Sequence, residues 1–251
     1  MSAPLALVTG ASEGIGRAIA ERLAGEGFSL ALVARRREVL AEVCDALAAR
    51  GCDARAFPTD LSNIESLGRL EEELAAWPEP VAVLVNNAGA GGPYQSLPDV
   101  PDPAWHSLVT LNLTAAFRLT QRVLPGMAAA GWGRVINIAS CFSLASGPGS
   151  SVYTTVKHAL VGLTRSVAVE WAEAGITANA VCPGFIETRM LETLRAASAD
   201  EHARLASRIP ARRLGQPEEV ADLVAFLAST RAGYVNGAIV AVDGGLSSAL
   251  P

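Results

Sequence analysis

The chain has 251 residues, of which 50% are hydrophobic and 18% are charged, so it can bury a large core and is not intrinsically disordered. Its formal net charge of −5 provides no basic excess for displacing the counterions of a phosphate backbone, which argues against nucleic acid as a partner. Charged residues interrupt every apolar run before the roughly 18 residues that a membrane span needs, and the first residues lack the pattern of a signal peptide. The four cysteines form no CxxC pair and only three histidines are present, so we expect a cytoplasmic protein without a metal site or a disulfide framework.

Short β-branched segments alternate with longer segments of helical periodicity along the whole chain. Strands such as Val81–Asn86 are apolar on both faces, which is typical of a parallel sheet covered by helices on each side. The alternation predicts a single domain, residues 1–251, built on a doubly wound, seven-stranded parallel sheet with helices on both faces. The predicted helices lie near 15–27, 37–50, 62–76, 103–130, 151–174 and 217–228. The predicted strands are Leu5–Thr9, Ser29–Ala34, Ala54–Pro58, Val81–Asn86, Arg134–Ser140, Thr177–Cys182 and Ala238–Val242.

Two segments interrupt this alternation and are predicted to be irregular. The first, Ala90–Pro103, is rich in glycine and proline. The second, residues 185–213, is polar and long for a simple connection, so we interpret it as a lid over a binding site. The lid mixes apolar and basic side chains, namely Phe185, Met190, Leu191 and Leu194 with Arg189, Arg195, Arg204 and Arg208.

A glycine-rich turn joins the first strand to the first helix. It contains Gly10, Ser12, Gly14, Ile15 and Gly16 in a GxxxGxG spacing. Glycines let the backbone approach a ligand closely, and a helix N-terminus favours an anion. Such a cluster is often only structural, but its place in the first βα turn of a doubly wound sheet favours the binding of a nucleotide pyrophosphate.

Tyr153 and Lys157 are four residues apart in a predicted helix, so their side chains share one face. The free phenol has a pKa of about 10, and a nearby ammonium would lower that value and make the pair an acid/base unit. The alternative is a surface contact without a chemical role. Lys157 is the only lysine beside 19 arginines, which suggests that a compact ammonium is required at this position.

The ordered set of motifs resembles the short-chain dehydrogenase/reductase family over essentially the whole chain. The set is TGxxxGxG, then Asn86-Asn87-Ala88-Gly89, then Tyr153-xxx-Lys157, then Pro183-Gly184. Much of the chain, notably residues 175–188, is similar to 3-oxoacyl and polyketide ketoreductases of this Rossmann-fold family. The resemblance implies that the glycine turn wraps the pyrophosphate and that Asp60 and Leu61 meet the adenine. It also implies that Asn87, Ala88 and Gly89 pass behind the adenosine ribose, and that Ile186 and Thr188, after Pro183 and Gly184, hold the nicotinamide carboxamide.

The resemblance assigns two further catalytic residues, each with an ordinary structural alternative. Ser140 ends the fifth predicted strand and could simply cap the following turn, but the family pattern makes it a donor to the substrate carbonyl. Asn112 is unfavourable in the middle of a helix, which suggests a side chain that interrupts the helical ladder and holds water, as in the proton relay of the family. Asp60 could likewise be only an acid at a helix N-terminus.

The end of the second strand predicts which dinucleotide binds. NAD enzymes place an acid there for the ribose hydroxyls, whereas this strand is followed by Arg35 and Arg36. Guanidinium groups can pair with a 2′-phosphate, so the prediction is NADP(H), with NAD(H) still possible. Glu13 argues against this prediction, because many NADP-dependent relatives have a basic side chain at its position.

These residues favour an oxidoreductase that moves a hydride between a nicotinamide and a carbonyl or secondary alcohol, over a catalytically silent nucleotide-binding protein. The preferred substrate is a free carbonyl compound, and a 3-oxoacyl thioester is the alternative. Reductases that dock an acyl carrier protein typically have basic residues where this chain has Gly131 and Ala174. The helices 103–130 and 151–174 are apolar on more than one face, and the family resemblance implies that a homotetramer covers them.

Overall fold

The computed structural model of the chain describes residues 3–77, 79–188 and 199–249. Within these ranges, seven parallel strands form one sheet in the order β3-β2-β1-β4-β5-β6-β7. The strand order reverses between β1 and β4, so a crevice opens at their carboxyl ends. The strands are β1 (Leu5–Thr9), β2 (Ser29–Ala34), β3 (Ala54–Pro58), β4 (Val81–Asn86), β5 (Gly133–Ile138), β6 (Ile176–Pro183) and β7 (Ile239–Val242).

Helices cover both faces of the sheet, and each face has its own hydrophobic cluster. The first cluster joins apolar residues of α1, α2 and α8 to the strands, and the second joins residues of α3, α5 and α6. Successive strand residues alternate between the clusters, as Leu5 and Ala6 do. The helices are α1 (Gly14–Gly25), α2 (Arg37–Ala48), α3 (Ile64–Ala75), α4 (Asp102–Val109), α5 (Ala115–Ala130), α6 (Ser151–Glu170), α7 (Ala199–Arg208) and α8 (Pro217–Ala228). None of the helices within the described ranges is long and apolar enough to cross a membrane.

The predicted fold is confirmed, and the bounds of β1 to β4 agree with the prediction. The bounds of β5, β6 and β7 differ from the predicted ones by one or two residues, and three further segments differ in more than small shifts of their ends. The predicted helix 103–130 is divided by a π-helical turn at Thr110–Thr114, and the predicted helix 151–174 ends at Glu170 before a short 3₁₀ turn. The predicted irregular lid contains α7, because residues 199–208 are mostly alanine, glutamate, arginine and leucine, which have high helix propensity.

Candidate active site

The carboxyl ends of β1 and β4 are tied together by one hydroxyl group. The backbone N–H groups of Asn87 and Ala88 each donate to Thr9 Oγ1 at 2.9 Å, and Asn87 Nδ2 donates to Thr9 O at 2.8 Å. The segment directly after β4 is therefore held beside the glycine turn. Sequence reasoning placed Asn87 and Ala88 here and included Thr9 in the TGxxxGxG motif, but it gave Thr9 no role of its own.

The glycine turn brings two backbone segments closer than any side chain would permit. Gly10 has a φ of 68°, in the left-handed region that favours glycine. A Cβ atom on Gly16 would lie 2.1 Å from Gly10 O and 2.4 Å from Asn87 Nδ2. Helix α1 begins at Gly14 and has no acidic residue in its first turn, so its N-terminal N–H groups can receive an anion. Ser12 is buried within this turn, and Ile15 packs against the first cluster.

Arg36 crosses from the end of β2 to the glycine turn. Its Nη2 donates to Glu13 Oε2 at 2.6 Å and lies 3.5 Å from Ser12 Oγ. The neighbouring Arg35 is exposed. The structure thus brings Arg36 into direct contact with Glu13, the residue that argues against NADP(H), and the sequence could not reveal this contact.

Asp60 and Leu61 follow β3 as predicted, and Leu61 is buried. The hydroxyl of Ser62 donates to Asp60 Oδ1 at 2.6 Å, and its backbone N–H donates to the same oxygen at 2.9 Å. The hydroxyl bond lowers the pKa of the Asp60 carboxyl, and the charge of Arg35 lowers it further. Asp60 therefore organises the turn before α3, and its anionic form is stabilised.

The segment after β6 returns toward the start of α1. Gly184 contacts Asp243 so closely that a Cβ atom on it would lie 2.8 Å from Asp243 Cβ. Ile186 forms a parallel bridge with Gly215, and Thr188 Oγ1 lies 3.4 Å from Ile186 O. The methyl group of Thr188 lies near Gly14. Pro183, Gly184, Ile186 and Thr188 thus form a wall that runs from the end of β6 to the start of α1. The contact of Ile186 and Thr188 with a nicotinamide carboxamide stays a prediction.

Tyr153 lies in the first turn of α6 and is held by neighbouring side chains. The Phe142 ring meets its ring edge-on, with 5.7 Å between centroids. Burial raises the pKa of Tyr153 to about 12, although a hydrogen bond with the Ser140 side chain acts in the opposite direction. The Ser140 hydroxyl also accepts a hydrogen bond from Phe142 N at 3.2 Å. Ser140 therefore both caps the turn and interacts with the phenol of Tyr153.

Lys157 is buried one helical turn beyond Tyr153, with 4% of its surface exposed. Its Nζ donates to Ile138 O at 2.9 Å and lies 5.7 Å from the centre of the Tyr153 ring. Burial lowers the pKa of the Lys157 ammonium to about 8. The sequence correctly placed the two side chains on one face. The expected fall in the pKa of Tyr153 does not occur, because burial of the phenol dominates.

Asn112 lies in the π-helical turn, which confirms that it interrupts the helical ladder. Its Nδ2 donates to Leu108 O at 3.1 Å and to Ala90 O at 3.3 Å. Its Oδ1 is buried and has no hydrogen-bond partner among the residues that the structure describes. A Cβ atom on Gly89 would lie 2.6 Å from that oxygen and 3.5 Å from Lys157 Nζ. The absence of a side chain at Gly89 therefore leaves room between Asn112 and Lys157.

Two thiols lie beside these residues. Cys141 follows Ser140, whose hydroxyl lies 3.9 Å from its Sγ, and burial raises the pKa of the Cys141 thiol. Burial also raises the pKa of Cys182. Both thiols are therefore poor nucleophiles. In the predicted lid, Arg204 and Arg208 are exposed on α7, while Arg189, Met190, Leu191, Leu194 and Arg195 lie outside the described residues.

Comparison with known proteins places this arrangement among nicotinamide-dependent enzymes. Residues 10–247 match the family described as enoyl-(acyl carrier protein) reductase. The chain is 41% identical over 242 residues to the 3-oxoacyl-(acyl-carrier-protein) reductase FabG of Escherichia coli (strain K12), covering 96% of each chain.

Solved structures agree with the sequence comparison. A variant of the actinorhodin polyketide ketoreductase, solved with NADPH, superposes with a TM-score of 0.92 at 37% identity, covering 98% of both chains. A gluconate 5-dehydrogenase from Burkholderia cenocepacia J2315, in complex with NADP and tartrate, gives a TM-score of 0.91 at 33% identity, covering 100% of this chain and 97% of that one.

Proposed function

Because the chain belongs to the short-chain dehydrogenase/reductase family, we propose that its site interconverts a carbonyl compound and a secondary alcohol with NADP(H), with Tyr153 as the acid and base. One observation carries the proposal. Tyr153, Ser140, Lys157 and Asn112 converge at the carboxyl edge of the sheet, beside the glycine turn. A silent nucleotide-binding protein would have no need of this set.

The residues of the crevice fit the cofactor. The glycine turn admits close backbone approach, the N-terminus of α1 suits a pyrophosphate, and Arg35 and Arg36 follow β2 where NAD enzymes carry an acid. Two NADP-containing relatives, described above, support the choice of NADP(H). We assign the remaining contacts to Ser12, Ile15, Asp60, Leu61, Asn87, Ala88 and Gly89, and to the wall formed by Pro183, Gly184, Ile186 and Thr188.

The protein residues orient the carbonyl and move the proton, while the bound dinucleotide supplies the hydride. Ser140 donates a hydrogen bond to the carbonyl oxygen and polarises it. Tyr153, whose raised pKa keeps the phenol protonated at neutral pH, donates its proton to the oxygen as negative charge develops there. Lys157 holds positive charge near the phenol ring and offers donors to a ribose hydroxyl. Asn112 offers its Oδ1, which has no hydrogen-bond partner in the described part of the chain, to a water that can return a proton.

The substrate is a free carbonyl compound in the preferred version of the proposal. The positions that carry basic residues in carrier-docking reductases are Gly131, which ends α5 in a left-handed conformation, and Ala174 in the turn before β6. Neither can pair with an acidic carrier protein. A 3-oxoacyl thioester is the second candidate, and the identity to the reductase from Escherichia coli favours it.

We propose that residues 1–251 form one domain that is cytoplasmic and assembles as a homotetramer. The sheet with its two hydrophobic clusters supports the single domain. Exposed apolar side chains on α5 and α6 support the assembly. No role is proposed for nucleic acid or a membrane.

A substrate panel with a catalytic variant tests the proposal. We expect purified protein with NADPH to reduce at least one carbonyl compound, followed through the absorbance of the reduced nicotinamide. The Tyr153→Phe variant should lose about 10²–10⁴-fold in kcat, because only the titrating oxygen is removed. Its Kd for NADPH, measured by calorimetry, should stay within roughly threefold, since the phenol ring and its packing are retained.

The panel includes a 3-oxoacyl thioester beside free ketones. Much faster turnover of the thioester than of any free ketone would select the second candidate. Retention of more than about a tenth of kcat by Tyr153→Phe would refute the acid role. Tight NADPH binding without turnover of any carbonyl would favour the silent nucleotide-binding protein.

A further inference from the structure

Glu13 places a carboxylate on the guanidinium that the proposed function assigns to the 2′-phosphate. Its Oε2 lies 2.6 Å from Arg36 Nη2, in a pair between residues that are distant in sequence. The two side chains keep 43% and 38% of their surface exposed, so a dinucleotide entering from solvent can reach them. Glu13 is the N-cap residue of α1, in an extended conformation, and its side chain makes no capping hydrogen bond to the helix.

We propose that Glu13 is a specificity-determining residue that competes with the 2′-phosphate of NADP(H) for Arg36 and thereby limits discrimination against NAD(H). The inference rests on the proposed function, because it assumes a dinucleotide bound across the glycine turn. A phosphate that pairs with Arg36 must share its N–H donors with Glu13 or displace the carboxylate. The phosphate also meets a like charge at close range, which disfavours it.

The same carboxylate suits the other dinucleotide. NAD enzymes use an acid at the end of the second strand to accept hydrogen bonds from the ribose hydroxyls, and this chain has arginine there. Glu13 belongs to the glycine turn, and its ion pair with Arg36 holds its carboxylate near the end of β2. Glu13 can therefore accept a hydrogen bond from a free 2′-hydroxyl, while Arg36 and Arg35 attract a 2′-phosphate. The site contains recognition groups for both dinucleotides.

Fragment binding isolates this contact from the chemistry of turnover. We expect Glu13→Gln to tighten the binding of 2′,5′-ADP by about three- to tenfold, because a nearby like charge and a competitor for Arg36 are both removed. The affinity for 5′-AMP, which has a free 2′-hydroxyl, should be unchanged or weaker. Both dissociation constants are measured by calorimetry on the full chain. In turnover, the ratio of kcat/KM with NADPH to that with NADH should rise by the same factor.

Glu21→Gln is the matched control. Glu21 pairs with Arg17 at 2.8 Å on the exposed side of α1, so this variant loses the same charge from a similar ion pair two turns away. It should change neither fragment affinity by more than roughly twofold. If Glu21→Gln tightened the binding of 2′,5′-ADP as much as Glu13→Gln does, the change in net charge alone would explain the effect. That result would overturn the proposal.

A double variant tests the competition itself. In an Arg36→Leu background, Glu13→Gln should improve the affinity for 2′,5′-ADP by less than about half of the free energy that it gains in the wild-type background. The reason is that this background has no guanidinium for Glu13 to occupy. A gain of full size in that background, or no gain in the single variant, contradicts the inference and leaves the proposed function intact. If the wild-type chain binds neither fragment, the proposed function fails, and this inference fails with it.

Discussion

Lys157 occupies surroundings that suit a neutral side chain better than an ammonium. It is 4% exposed, and its Nζ donates to the Ile138 carbonyl. The fall of its pKa from 10.5 to about 8 means that folding disfavours the charged form. The position is therefore held at a cost in stability. That cost is consistent with a chemical role, since a buried ammonium beside a phenol is needed for proton transfer and not for packing.

Replacing Lys157 should stabilise the fold at neutral pH. A shift of this size corresponds to about 3 kcal/mol, and the lost hydrogen bond to Ile138 offsets about 1 kcal/mol, so Lys157→Met should gain about 2 kcal/mol at pH 7. Because the folded-state pKa lies below the unfolded value, the unfolded chain binds more protons between pH 8 and 10.5, and wild-type stability rises with pH across this window.

The measurement is urea unfolding at several pH values without cofactor. The advantage of Lys157→Met should shrink between pH 8 and 10.5, whereas Arg165→Met, an exposed change on the same helix, should show no such trend. The raised pKa of Tyr153 affects both proteins alike and only above pH 10, where its stabilisation is lost. A variant that is less stable than wild type at pH 7 would contradict the argument.

At the scale of elements, the π-helical turn at Thr110–Thr114 is the feature that the sequence predicted least well. The apolar residues on either side keep an ordinary helical spacing, and only the unfavourable Asn112 indicated a break. The turn presents Asn112 to the space that Gly89 leaves open. A helix inside the predicted lid, residues 199–208, was also missed, because its polar composition was interpreted as that of an irregular segment.

Filling the space at Gly89 should disturb catalysis through Asn112. A methyl group there would lie 2.6 Å from Asn112 Oδ1, so the side chain or the loop must move. Gly89→Ala should lose about 1–3 kcal/mol of stability and at least roughly tenfold in kcat. Gly91→Ala is the control in the same loop, since none of the described residues beyond its chain neighbours has an atom within 4 Å of its added methyl group. Thermal unfolding and steady-state kinetics measure both effects, and a kcat within about twofold of wild type in Gly89→Ala would count against a positioned Asn112.

For the whole molecule, topology could be predicted because strict βα alternation and right-handed crossovers leave few arrangements of seven parallel strands. The observed strand order then places the crevice at the carboxyl ends of β1 and β4, next to the predicted glycine turn. The contact of Arg36 with Glu13 could not be predicted, because it depends on two long side chains from separate turns. Which apolar helix faces remain exposed also depends on the packing of the whole molecule. For this feature the sequence was informative, because it indicated two helical segments, 103–130 and 151–174, with more than one apolar face.

The outer faces of α5 and α6 carry the last prediction. Phe117 is 50% exposed and Val169 is 82% exposed, although their neighbours Leu119 and Val167 are buried in the second cluster. A partner subunit that covers these faces removes apolar surface from water, so we expect a homotetramer of about four times the chain mass of 26.0 kDa. Light scattering should detect it at micromolar concentrations. Phe117→Glu with Val169→Glu should give smaller species, because two buried charges oppose association. Ile64→Glu, which changes an exposed apolar residue on α3, should leave the mass unchanged. A wild-type mass of one chain across the micromolar range would refute the assembly.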